Sequence, residues 1–361
     1  MYVRISADGC VLAFQSSLPL PASKQPQTAN PSYDRCIVLM HGFSGSSEYF
    51  TRNFAALAQH HWVVAPDMRG HGRSGRPTGG HHVARLAADL KSLLRFLVQQ
   101  TRATRVAAGQ QPRGIQFIPV GCSIGAAVLW TYAELFGHGT HDADALPGGG
   151  GDDSLDLTST GSFAGYIFVD QAPLQDRVPS FMNSGSGTGG DTITWDTAKS
   201  HTGCYDEATM HAAQRAWIHD TANAHKGLVA ECLGYRFSPS ASSAVRITAD
   251  QARADEDFFT RISSLCDPVW LARLLADHTR YDHRDAIREV VSEKPVLVMA
   301  GGLSGCFPRE GLLETARIVN GVVEGGAEAS VYEDAGHWLF YEDPVRFRDE
   351  VVRFIDKVTA A

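Results

Sequence analysis

The stretch VGCSIGAA, residues 120–127, restricts the fold of this chain more than any other. It follows an apolar run, IQFIPV (115–120), and leads into AAVLWTYAEL, which reads as a helix. Gly121-Cys122-Ser123-Ile124-Gly125 therefore sets a serine on a tight strand-to-helix turn, with its hydroxyl raised above the sheet edge. Glycines on either side leave no Cβ to collide with neighbouring backbone. A helix starting at Ile124 aims its free N–H groups and the positive end of its dipole at the same point. A chain with 35 glycines can also produce G-x-S-x-G by chance, so the surrounding pattern has to decide.

That pattern is α/β. Short apolar runs recur at RCIVLM (35–40), WVVAP (62–66), IQFIPV, YIFV (166–169), PVLVMA (295–300) and ASVYE (329–333), each the length of a buried strand. Helical spacing lies between them: SSEYFTRNFAALAQH, residues 81–100 with Val83, Leu86, Leu90, Leu93, Leu94 and Leu97 on one stripe, and a helix near 309–319. A last helix starts near Pro344, a good first-turn residue, and runs through Phe347, Val351, Phe354 and Val358. Alternation of this kind implies a mostly parallel sheet with helices on both faces. The period changes from 171 to 290, where helical patterns at 206–220 and 267–276 accompany a Gly/Ser-rich stretch, SGSGTGGDT (184–192). The expected organisation is an α/β core in two parts, 1–170 and 291–361, interrupted by a mainly helical insertion, 171–290.

Residues 137–162, rich in Gly, Asp, Ser and Thr, read as a surface loop. Its glycine run is no phosphate cradle, because no Lys-Ser/Thr follows. His138, His141, Asp142 and Asp144 are metal-ligating types, but a low-complexity loop holds ligands poorly, and no metal is expected there. The formal net charge of −8 and the lack of a basic run argue against a nucleic-acid partner. No apolar stretch approaches the ~18 residues of a membrane span, and MYVRISADGC lacks the apolar region of a signal peptide. Seven scattered cysteines without a C-x-x-C pattern fit reduced thiols and a cytoplasmic location.

Over roughly 33–135, 165–175 and 293–358 the chain resembles the α/β-hydrolase superfamily. The resemblance is carried by the serine turn, by HGF (41–43), by DMRGHGRS (67–74) and by EDAGHWLFYEDP (333–344). It implies an α/β-hydrolase fold in which the insertion occupies the position of a cap. It also implies a Ser, acid, His order along the chain. Ser123 would attack an acyl carbon, and His337 would take its proton and later deliver it to the leaving group. The backbone N–H groups of Phe43 and Ile124 would hold the oxyanion. His41 is expected to fix the oxyanion loop, and Asp67, Arg69 and His71 to stabilise a turn. Cys122 reads as a small packing residue. No metal or organic cofactor is implied.

The acid is harder to place. In most of the superfamily it follows the strand that here is PVLVMA, but GGLSGCFPRE puts Ser304 at that position. Some members supply the acid after the preceding strand instead. Here that strand is YIFV, which runs directly into Asp170. Asp170 is therefore the expected partner of His337, against the plainer reading of a turn or helix cap. Asp282 and Asp285 are weaker candidates, and Asp334 is too close to His337 in the chain to swing under it easily.

A serine nucleophile argues against chemistry that needs a carboxylate nucleophile, as in epoxide hydrolases and haloalkane dehalogenases. The expected activity is hydrolysis of a carboxylic ester or lactone of a small, fairly apolar molecule. C–C bond hydrolysis, cofactor-free haloperoxidase chemistry and a non-catalytic ligand receptor on the same fold stay open. Trp195, Trp217, Phe259 and Trp270, from the insertion, are candidates for lining its pocket.

Overall fold

The computed structural model describes residues 1–4, 8–20, 33–107, 109, 111, 113–140, 160–175, 207–234 and 247–360. His141, Asp142, Asp144, Trp195 and the stretch 184–192 lie outside the described residues. Among the described residues the strands are, in chain order, β1 (Tyr2–Arg4), β2 (Val11–Ser16), β3 (Arg35–Met40), β4 (Trp62–Pro66), β5 (Ile115–Cys122), β6 (Gly161–Phe163), β7 (Tyr166–Val169), β8 (Leu174–Gln175), β9 (Tyr281–Asp282), β10 (Val296–Gly301) and β11 (Ala327–Tyr332). The helices are α1 (Phe54–Leu57), α2 (Val83–Ala107), α3 (Ile124–Phe136), α4 (Glu207–His219), α5 (Thr221–Cys232), α6 (Ala249–Ser264), α7 (Pro268–His278), α8 (Arg284–Glu289), α9 (Arg309–Val322), α10 (Leu339–Glu342) and α11 (Pro344–Thr359).

The main sheet runs β1-β2-β4-β3-β5-β7-β10-β11, with β6 beside β5. All of it from β4 to β11 is parallel, and β1 and β2 extend one edge in antiparallel fashion. The reason for the unbroken apolar runs is visible in β3. Cys36, Val38 and Met40 enter one core cluster with α2 and α3, while Ile37 and Leu39 enter a second with α11. Both faces are buried, so neither parity of the strand can be polar. The expected mostly parallel, doubly covered sheet is the observed one. Sequence pattern did not reveal β1, β2, β6, β8 or β9, because runs of two to six residues are too short to show a clean period.

The segment between β7 and β10 begins and ends on a small antiparallel ribbon, where β8 pairs with β9. Helices α4 to α7 lie between these two strands in the chain. Helix α8 follows β9 and packs against α3 and α9. Among the described residues no helix is long and apolar enough to cross a membrane.

One buried ion pair ties the loop after β4 to the first long helix. The Arg69 guanidinium is fully buried and donates to both oxygens of Asp89 on α2, one contact being 2.7 Å, and to Asp8 at 2.7 Å. Removing Asp89 leaves a buried cation with only the half-exposed Asp8. We expect Asp89→Ala to lower unfolding free energy by about 3 kcal/mol, the low end for breaking a buried pair. Urea denaturation measures it, and a loss under about 1 kcal/mol would show that Asp8 suffices.

Candidate active site

Ser123 sits where the sequence puts it, between the end of β5 and the first residue of α3. Its φ is 55° and its ψ −125°, a strained conformation for a residue with a Cβ. The turn is held by its N–H, which donates to the Val169 carbonyl at 2.9 Å, and by its carbonyl, which accepts from Ala126 N–H at 2.7 Å. The side chain makes no cap hydrogen bond to α3. The flanking glycines are sterically required. A Cβ on Gly121 would lie 2.6 Å from the backbone of Gly125, and one on Gly125 would lie 2.7 Å from the Met40 carbonyl oxygen. The elbow is thus wedged against the end of β3, next to HGF.

Only three described non-glycine residues have positive φ: Ser44, Ser123 and Asp170. All three belong to this region. Asp170 follows β7 with φ 50°, and its N–H donates to the Met299 carbonyl at 2.8 Å. This turn aims its buried carboxylate along the sheet edge. Oδ1 accepts from the His337 ring at Nδ1, 2.5 Å away, and from the Ser304 hydroxyl at 2.7 Å, while Oδ2 accepts from Gly301 N–H at 2.6 Å. Asp170 and His337 are therefore partners, 167 residues apart in the chain. The other acids are elsewhere. Asp282 accepts from Arg284, Asp285 from Arg288, and Asp334 is exposed. Ser304, which in the sequence stands at the seat of a carboxylate, donates to the carboxylate of Asp170.

Ser123 and His337 line one cavity of about 50 Å³ together with Phe43 of the HGF loop. Its walls come from both parts of the chain: Phe307 and Trp338 from core loops, Gln175 from β8, Leu228 and Glu231 from α5, and Leu275 and His278 from α7. Burial raises the carboxyl of Glu231, with His337 acting in the opposite sense. Trp217, Phe259 and Trp270 are absent from these walls. Trp217 packs edge-on to Phe43, Phe259 stacks on Trp338, and Trp270 lies against His71 and His81. They are core residues supporting the walls, because helix faces bury large aromatics where they touch the core.

The remaining family-like residues are structural. His41 accepts from Met68 N–H at Nε2, 2.9 Å, and its Nδ1 contacts the Gly42 carbonyl at 2.7 Å, so it fixes the HGF loop against the loop after β4. The Asp67 carboxylate accepts from the N–H groups of Ser47 and Arg73, and His71 Nδ1 meets the Arg69 carbonyl. Cys122 is buried in the core, where burial, then the charge of Asp170, pushes its thiol well up. His138 bridges Tyr166 and Glu293.

The geometry defines a class of protein: a parallel α/β sheet carrying a serine elbow, an acid–histidine pair and a shared cavity at one edge. The model of the alpha/beta hydrolase family matches residues 37–350, and the chain belongs to that family. Uncharacterized proteins of Mycobacterium tuberculosis and Mycobacterium bovis are 24% identical over 328 residues, 90% of this chain and 76% of theirs. Among solved structures, an esterase from Exiguobacterium antarcticum superposes with a TM-score of 0.65 at 13% identity, covering 98% of each chain. A bromoperoxidase from Bacillus anthracis gives 0.65 at 14%, over 99% of each chain. An esterase from a Rhodococcus species gives 0.62 at 19%, over 99% of this chain and 98% of its own. At these identities the structures speak to the fold.

Burial also makes the site region acid-sensitive. It pushes His41 and His283 down to about 4 and His71 and His278 to about 3. Each folded-state value lies below the unfolded value of about 6.5, so the unfolded chain binds protons first. Stability is fully present above pH ~6.5 and is lost as pH falls towards ~4, by up to about 1.4 kcal/mol per pH unit for each histidine. Asp89 and Glu231, raised by burial, act in the opposite sense but are fewer. Thermal melts should show Tm falling across this window. Among the described residues neither ring nitrogen of His283 has a hydrogen-bond partner, while the ring packs on Trp130 and Tyr281. His283→Phe should therefore keep the packing and make the slope shallower; an unchanged slope would exclude His283 as a contributor.

Proposed function

We propose that this chain is a serine hydrolase that cleaves a carboxylic ester or lactone of a small, fairly apolar molecule through an acyl-enzyme. The observation that carries the reading is the Asp170–His337 pair, at 2.5 Å, beside a cavity that also holds Ser123. Ser123 Oγ attacks the acyl carbon as His337 Nε2 takes its proton. Asp170, bound to Nδ1, holds the ring in the useful tautomer and stabilises the imidazolium. The oxyanion is met by the N–H groups of Phe43 and Ile124, each such donor being worth about 3–4 kcal/mol in comparable sites. The imidazolium then protonates the leaving alcohol, and water attacks the acyl-enzyme with His337 again as base. No metal or organic cofactor takes part.

The helical insertion acts as a cap in this reading, since α5 and α7 contribute Leu228, Glu231, Leu275 and His278 to the cavity. The apolar walls of the cavity, Phe43, Leu228, Leu275, Phe307 and Trp338, favour an apolar acyl group or lactone. The similarity in fold to esterases from Exiguobacterium antarcticum and a Rhodococcus species supports this reading. A cytoplasmic location belongs to the same proposal, on the ground that the six described cysteines are all thiols.

A fluorophosphonate probe should label the protein and a p-nitrophenyl acetate or butyrate assay should show turnover, both lost in Ser123→Ala. Labelling that survives this change defeats the assignment. Asp170→Asn should lower kcat by roughly 10²–10⁴, by analogy with the serine protease triad. Ser304→Ala removes one donor to a carboxylate that keeps two others, so a fall within about tenfold is expected. Near-full activity in Asp170→Asn would reduce Asp170 to a turn residue. Ligand binding without turnover would favour a receptor.

Leu228→Ala should enlarge the cavity without touching the triad. Comparing kcat/KM across p-nitrophenyl esters, preference should move toward longer acyl chains by about tenfold, the discrimination a methylene or two can give. An unchanged chain-length profile would remove the insertion from substrate selection.

A further inference from the structure

Two thiols flank the candidate base. Cys232 ends α5 of the insertion, and Cys306 lies in the core loop after β10. Their sulfurs are 3.8 Å apart, and together with a ring nitrogen of His337 they form a group of ligand atoms all within 4.8 Å of one another. All three residues are buried and line the cavity that holds Ser123.

The sulfur–sulfur spacing is that of two ligands on one metal. Two thiolates on a tetrahedral zinc ion, each about 2.3 Å from it, lie about 3.8 Å apart. A disulfide would instead require the sulfurs to close to about 2.05 Å. The histidine is also prepared. A zinc-bound imidazole commonly gives its other ring N–H to a carboxylate, which fixes its tautomer and orientation. His337 already holds Asp170 through Nδ1, which leaves Nε2 as the ligand atom.

The backbone keeps Cys232 in place. Gly305 N–H donates to the Glu231 carbonyl at 3.2 Å, and Trp338 N–H donates to the Cys232 carbonyl at 3.2 Å. The N–H groups of Gly234 and Gly336 both donate to the Glu342 carboxylate, at 3.0 and 2.8 Å. The end of α5 is thus laced to both core loops that carry the other two ligands.

We propose that Cys232, Cys306 and His337 bind a thiophilic divalent cation of the zinc class, with solvent in the fourth position. Binding releases two thiol protons to the buffer and forms two metal–sulfur bonds and one metal–nitrogen bond. The bound ion occupies the nitrogen that Ser123 needs and ties the insertion to the core, so it silences the site. The silencing rests on the reading of His337 as base; the binding does not.

Both parts can be tested on the full chain. Cadmium titrated into the Ser123→Ala protein should produce thiolate-to-cadmium absorption saturating at one ion per chain. That absorption should be lost in Ser123→Ala carrying Cys232→Ser and Cys306→Ser. In otherwise wild-type protein, zinc should inhibit p-nitrophenyl ester hydrolysis, and EDTA should restore it. Cys232→Ser or Cys306→Ser, each compared with its own metal-free rate, should need at least about tenfold more zinc. A saturable cadmium band in protein that never hydrolyses esters would keep the site and defeat the functional reading. Absence of the band overturns the site, as does unchanged zinc sensitivity in the double cysteine variant or inhibition reversed by dithiothreitol but not by EDTA. Should the cysteine variants fail to fold by circular dichroism, phenylarsine oxide, which bridges two thiols, must suppress the cadmium band in Ser123→Ala protein; a band it leaves intact overturns the site.

Discussion

One buried carboxylate organises the edge of the sheet. Asp170 is enclosed, and a charge in that position has to be met by donors. Its donors come from segments remote in the chain: Gly301 at the end of β10, Ser304 in the loop that follows it, and His337 after β11. Strands β7 and β10 are parallel neighbours, with Val169 opposite Met299, so their ends arrive together. The left-handed turn at Asp170 lifts the carboxylate into the gap beyond those ends. An aspartate tolerates that backbone region better than most residues with a Cβ.

The serine turn is constrained by the same edge. Val169, the last residue before Asp170, accepts from Ser123 N–H, so one strand end steadies both the elbow and the acid. Gly121 and Gly125 let the elbow press against β3, whose continuation carries His41 and Phe43. Backbone strain collects at Ser44, Ser123 and Asp170, within a sheet whose packing over-determines them.

The insertion completes the cavity rather than merely covering it. The end of α5 is hydrogen-bonded to the loops bearing Cys306 and His337, and its Leu228 and Glu231 face the same space as Ser123. The extent of the cavity and the environment of the histidine are therefore set by contacts between segments about a hundred residues apart. The neighbouring thiols are brought together by the same backbone lacing.

Local chemistry was legible in the sequence wherever period or glycine placement imposes it. The buried strands could be read because both faces are covered and neither can be polar. The elbow could be read because only glycines fit at positions 121 and 125, and His337 because its loop falls between the last strand and the last helix. Helix α11 announced itself through Pro344 and a clear apolar stripe. Asp170 could be nominated by its place after YIFV, but its meeting with His337 depends on the parallel adjacency of β7, β10 and β11. The supporting bond from Ser304 depends on loop conformation that no period encodes. Trp217, Phe259 and Trp270 illustrate the limit from the other side: an aromatic stripe reads the same whether it faces a pocket or a core. Which of these it faces, and that Cys232 comes to lie 3.8 Å from Cys306, was decided by tertiary packing, because contacts between distant segments arise from how helices seat on a finished sheet.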